Sequence, residues 1–150
     1  MSPFNAPSWK TLVTSVAPDA EFGEPATETR LSALEQTLGV HLPEEFRQLL
    51  LEFDGLIADF GADVVWSVAQ IEKQNRLFRT EKSFRTLYMP FDNLLFFGDD
   101  GGGDQFAFPI HADGEIHKLD IFRWEHETDA RSWYAGSLEQ FFDHRFAREK

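Results

Sequence analysis

Cysteine is absent from all 150 residues. That excludes disulfides and thiol catalysis, and it fits a reducing compartment. Long apolar runs are missing too. None approaches the roughly 20 residues that a membrane-spanning helix requires. The opening residues, Met1-Ser2-Pro3-Phe4-Asn5, lack the basic and apolar regions of a secretory leader. The expectation is a cytoplasmic chain with no membrane partner. Positive charge is scarce: 14 Lys and Arg face 26 Asp and Glu, for a net charge of −12. Such a balance disfavours nucleic acid or an anionic membrane as a direct partner. Solubility alone accounts for it equally well.

What the chain does have is aromatic bulk. Sixteen phenylalanines and a hydrophobic content of 42% argue against disorder and for an aromatic core. A chain of this length reads as one domain able to bury a sizeable core.

The stretch from Leu94 to Ile110 organises the rest. Leu94–Phe97 and Gln105–Ile110 are short apolar runs flanking Gly98-Asp99-Asp100-Gly101-Gly102-Gly103-Asp104. Aromatic-rich runs bounded by turn residues predict paired strands. The unbroken run Leu94–Phe97 predicts burial on both faces at the centre of a sheet. Three successive glycines either form a wide, mobile tip or let the backbone come close to something.

Helix signals recur along the chain. Ser8 is placed to cap a helix over Trp9–Val16, and Thr27 a second helix with Leu31, Leu34 and Leu38 inward, stopped by Gly39. Pro18–Pro25 reads as a linker. Leu42-Pro43-Glu44-Glu45-Phe46 opens a third helix in which Phe46, Leu49, Leu50 and Phe53 share one stripe and Gly55 marks the end. Glu44 and Glu45 suit the positive end of that helix better than they suit catalysis. Val64–Ser67 predicts a strand, and Val68 to about Phe78 a fourth helix. The outer face of that helix carries Lys73, Arg76 and Arg79, with Lys82 and Arg85 following. Asp113-Gly114 signals a hairpin turn, and Ile116–Trp124 a further strand. Glu125–Asp129 is an acidic loop. Ser137 caps a last helix with Leu138, Phe141, Phe142 and Phe146 inward. Between Tyr88 and His144 the basic residues are only Lys118, Arg123 and Arg131, so the acidic excess lies in the half that holds the expected sheet.

No motif makes a positive case for catalysis. The histidines His41, His111, His117, His126 and His144 show no HExxH spacing. Asp99, Asp100 and Asp104 lack the alternating ligand positions of an EF-hand, so no metal is expected there. Glu125-His126-Glu127 reads as a solvated loop. The glycine loop has no Walker lysine, and its carboxylates repel phosphate. No cofactor is implied.

The order of these parts resembles the SUKH superfamily, the Smi/Knr-like domains named after fungal cell-wall synthesis regulators, with bacterial relatives that act as toxin-immunity proteins. The resemblance rests on Leu38-Gly39, Leu42-Pro43-Glu44-Glu45-Phe46, Phe53-Asp54-Gly55, Phe97 to Asp104, Trp124-Glu125-His126-Glu127 and Ala135 to Phe142. Asp54 departs from it, standing where the family often has asparagine. So does the unusually rich glycine run. The resemblance implies an α+β fold, helices around a twisted, largely antiparallel sheet, as one domain over residues 1–150 with its core at about 27–146. It implies no enzymatic activity. It further implies a protein partner, such as a basic toxin domain, a nuclease among them, blocked sterically and electrostatically. Asp99, Asp100, Asp104, Glu125, Glu127 and Asp129 are the expected contact residues, with Trp124 or Trp133 as an aromatic anchor, although core packing is the favoured reading of both tryptophans. A regulatory scaffold without a toxin partner and a small metal-dependent hydrolase are the competing readings.

Overall fold

Hydroxyl side chains start four of the six helices among the described residues. In a computed structural model describing residues 8–58, 60–117 and 119–146, Ser8, Thr27, Ser67 and Ser137 each accept the backbone N–H three residues on. Each bond satisfies a donor that the first helical turn leaves unpaired. The helices are α1 (Trp9–Val16), α2 (Glu28–Leu38), α3 (Glu44–Glu52), α4 (Val68–Thr80), α5 (Lys82–Leu87) and α6 (Leu138–Arg145). The strands are β1 (Glu21–Phe22), β2 (Leu56–Ala58), β3 (Ala62–Val65), β4 (Leu94–Asp99), β5 (Gln105–Pro109), β6 (Ile121–Glu125) and β7 (Ala130–Ala135). They form two antiparallel sheets, β1-β2-β3 and β4-β5-β6-β7, which gives the expected α+β class. The opening residues Met1–Asn5, on which the absence of a leader is read, Lys118 and the side chain of Arg85 lie outside the described residues.

Leu94–Phe97 is buried as its composition predicts, at 5% exposure or less. Yet β4 ends its own sheet rather than standing at the centre. The smaller sheet supplies the cover. Trp66 N–H donates to the Phe97 carbonyl at 2.7 Å, and a side chain at Gly98 would collide with the Val64 carbonyl. Helix α4 closes the remaining edge. Buried Asn75 donates to the Phe96 carbonyl at 2.8 Å and accepts the Phe96 N–H at 2.8 Å, and Arg79 donates to the Leu94 carbonyl at 3.2 Å. Side chains thus pair the backbone that a neighbouring strand would otherwise pair.

Phe96 and Phe97 point to opposite faces of β4 and seed two aromatic clusters. Phe97 packs with Phe46, Phe108 and Phe141 under α3 and α6. Phe96 packs with Phe78, Phe91 and Trp124.

Several boundaries differ from the pattern. The stretch read as a linker holds β1. Helix α3 begins after Pro43 and ends at Glu52, and Gly55, at φ +107°, turns the chain into β2. The Asp113-Gly114 turn forms, with Gly114 N–H bonded to the His111 carbonyl, but inside a longer connection. The strand expected from Ile116 therefore starts only at Ile121. β2, α5 and β7 carried no clear signal. In β7 the inward position opposite Trp124 is Arg131, whose guanidinium lies 4.7 Å from the Phe91 ring centre. A cation in the place of an apolar residue hides the strand pattern.

Candidate functional site

The loop between β4 and β5 and the turn between β6 and β7 meet at one end of the larger sheet. Strand pairing sets this up, because Gln105 lies opposite Trp124 and Glu125 opposite Ala130. Asp104 ties the two segments together. One of its oxygens accepts from His126 Nδ1 at 2.7 Å and from the His126 backbone N–H at 3.1 Å. The other accepts from Arg123 at 2.8 Å. Burial opposes ionisation of Asp104, but these hydrogen bonds, His126 first and then Arg123, hold its carboxyl below the ordinary value.

Asp99 stands apart. Its oxygens accept from the Trp66 indole at 2.8 Å and from the Gly101 N–H at 2.8 Å. Burial still dominates and pushes the Asp99 carboxyl up, and the nearby charges of Asp63 and Asp100 add to this. Asp100 accepts from the Gly102 N–H at 2.8 Å and lies 3.5 Å from Arg123.

At the neighbouring turn, Asp129 adopts φ +60°. Its carboxylate accepts from the Trp124 indole at 2.7 Å, from the Met89 N–H at 2.9 Å and from Arg131 at 2.9 Å. Burial again opposes the charge, and these three donors outweigh it, Met89 most, so the carboxyl sits below its ordinary value. They also explain how a non-glycine residue is held in a left-handed conformation.

The structure therefore gathers Asp99, Asp100, Asp104, Glu125, Glu127 and Asp129 at one end of the sheet, but divides their duties. Asp104, Asp129 and Asp99 are committed to internal donors. The Glu125 and Glu127 carboxylates accept no hydrogen bond among the described residues. Trp124 is 4% exposed and belongs to the core, the reading favoured for it over that of an anchor. Trp133 is the exposed tryptophan, at 53%, with its indole 3.1 Å from Asp120. His126 stands in the motif that carries the resemblance but reads in sequence as part of a solvated loop, and the sequence gives Arg123 no site role. The structure adds Gly103 to the account of His126, since a side chain there would approach the imidazole to 2.6 Å. The glycine run thus holds a close approach within an exposed tip.

No cluster of three or more His, Asp or Glu suited to a metal exists among the described residues. No described helix is long and apolar enough to cross a membrane.

The model of the SMI1 / KNR4 family (SUKH-1) matches residues 25–144. The chain belongs to the SMI1/KNR4 family. That family includes toxin-immunity proteins and cell-wall regulators, and its members typically bind protein partners. No curated protein matches the chain.

In this SMI1/KNR4 member the residues that carry the resemblance are engaged in building the fold. Gly39 closes α2 in the left-handed conformation at φ +69°. Asp54 accepts the Val68 N–H at 2.7 Å and so joins Ser67 in capping α4. Gly98 permits the contact between sheets, and Asp99 anchors Trp66. An aspartate at position 54 serves the cap as well as asparagine does, because both offer the same oxygen to an N–H.

Proposed function

We infer that this protein is a non-catalytic immunity-type domain that neutralises a basic toxin, a nuclease among the possibilities, by covering its working surface. The observation that carries this reading is the pair Glu125 and Glu127 on the β6–β7 turn. Among the described residues their carboxylates accept no hydrogen bond; Glu127 is exposed, Glu125 is half-buried with its charge acting on Arg123, and both stand beside a loop whose other carboxylates accept internal hydrogen bonds. Exposed like charges repel one another. A basic surface relieves that repulsion and is drawn in at long range. A nuclease must present such a surface to hold nucleic acid. Family membership supports a protein partner.

The test mixes the purified protein with the products of the adjacent genes, the toxin domain expected among them, at several salt concentrations. Association should be fast at low salt and slow as the Debye length falls from about 10 Å at 0.1 M to about 3 Å at 1 M. The complex should lose nuclease activity. A salt-independent rate defeats the electrostatic mechanism, and failure to bind defeats the immunity reading.

A further inference from the structure

Phe60 is 98% exposed, at the tip of the β2–β3 hairpin. Single exposed apolar residues are ordinary on protein surfaces. Phe60 differs because its backbone is also in the left-handed region, at φ +65°. Among the described residues only Asp129 shares this feature without being glycine, and Asp129 is held by three sets of donors. Phe60 stacks on no other ring among the described residues. Asparagine, aspartate or glycine would fill a hairpin position of positive φ with less strain. The fold therefore gains nothing visible from a phenylalanine here and bears its strain.

The surroundings indicate what the ring is for. Ile57 is 39% exposed and stands opposite both Glu21 and Asp63. The outward row of the smaller sheet is thus an apolar residue between two carboxylates. The hairpin tip also abuts the glycine loop, since a side chain on Gly101 would lie 3.2 Å from Ala62 Cβ. That brings Asp63, Asp99 and Asp100 to the same edge, and the charge of Asp63 acts on Asp99.

We propose that Phe60 and Ile57 form an aromatic-led anchor, rimmed by Glu21, Asp63 and Asp100, that inserts into an apolar pocket edged with lysine or arginine on a partner protein. This rests on the protein-binding reading above and names the docking element and the partner's chemistry. The acidic rim repels an anionic lipid surface, which argues against membrane insertion by the same ring. Strain kept at a site that binding rewards is a familiar exchange of stability for function.

The experiment compares wild type with Phe60→Asn and Phe60→Trp, using the toxin domain encoded beside the gene as the probe. Phe60→Asn should melt higher than wild type, because asparagine tolerates the left-handed turn. It should bind the toxin domain at least about tenfold more weakly, the loss expected of a central aromatic anchor. Phe60→Trp should keep binding close to wild type. Stability and affinity moving in opposite directions supports the proposal, and a purely structural role for Phe60 would not produce it. Toxin binding that is unchanged in Phe60→Asn overturns the anchor and leaves the immunity reading intact. A wild type that does not bind overturns both. A Phe60→Asn protein that melts no higher than wild type removes the strain argument and defeats the proposal. Sedimentation of the protein alone supplies the last arm. A dimer that Phe60→Asn dissociates would make a second copy the occupant and overturn the partner named here.

Discussion

Asp104 receives both the ring Nδ1 and the backbone N–H of His126, at 2.7 and 3.1 Å. One carboxylate from the β4–β5 loop thereby fixes the orientation of the turn that displays Glu125 and Glu127. The contact depends on Gly103, whose missing side chain leaves room for the imidazole. The acidic residues of this region are therefore of two kinds, those that accept internal hydrogen bonds and those that accept none among the described residues.

The first prediction concerns acid. Asp104 and Asp129 have folded pKa values below the ordinary 3.8. Their stabilisation is complete above that value and is lost as pH falls through the lower folded values. Asp99 runs the other way, because burial raises its pKa. Its contribution is present below the ordinary value and lost as pH rises through the folded one. Thermal melts between pH 7 and 3 should show a loss of stability on acidification that is shallower in Asp104→Asn. Asp99→Asn should melt higher than wild type at pH 7. A lower melting point for Asp99→Asn at pH 7 contradicts this account.

Asn75 offers a sharper test of the core. Its side-chain amide takes the place of a strand beside Phe96. Asn75→Leu leaves a buried N–H and a buried carbonyl unpaired, at about 1–3 kcal/mol each. Urea unfolding should show a total loss of roughly 2–6 kcal/mol. A midpoint within error of wild type means that water or backbone movement satisfies Phe96 and that Asn75 is not its partner.

Gly98 tests the junction of the sheets. Gly98→Ala places a methyl group against the Val64 carbonyl, and backbone cannot swing aside as a flexible side chain can. The expected cost is about 1–3 kcal/mol, as for other overpacked sites. Gly102→Ala, where the nearest atom is the Asp100 side chain at 3.5 Å, should be far milder. Equal melting temperatures for the two variants would show that the sheets do not abut as described.

Charge reversal tests Glu125 and Glu127. Glu125→Lys with Glu127→Lys should slow association with the toxin domain by about tenfold at low salt and leave the melting temperature within a few degrees of wild type. Asp99 is left out of that variant because reversing it would bury an ammonium beside the Trp66 indole. Wild-type association by the double variant, measured by stopped flow, counts against electrostatic steering through this turn.

Much of the scaffold was legible in the residues alone. Capping hydroxyls, Gly39 and the 3.6-residue stripes of α2, α3 and α6 act over one or two turns, so their signals lie within a few residues of one another. The apolar run Leu94–Phe97 marks a doubly buried strand wherever its cover comes from. The acidic character of the Glu125–Asp129 turn was equally plain.

Only the tertiary structure decided what each acidic residue does. Asp104 and Glu127 look alike in sequence, and they part company because Arg123 and His126 are brought to one and not to the other. Trp124 and Trp133 divide for the same reason, with one beneath the Phe91 segment and the other on the open face. β1, β2 and β7 are short or carry a cation inward, so their pairing comes from neighbours distant in the chain. The left-handed backbone of Phe60 is likewise imposed by closure of the β2–β3 hairpin, since phenylalanine has no preference of its own for that conformation. Local chemistry sets where helices begin and which strands are buried. Which charges remain free for a partner depends on contacts between residues far apart in sequence, and those exist only once the sheets have closed.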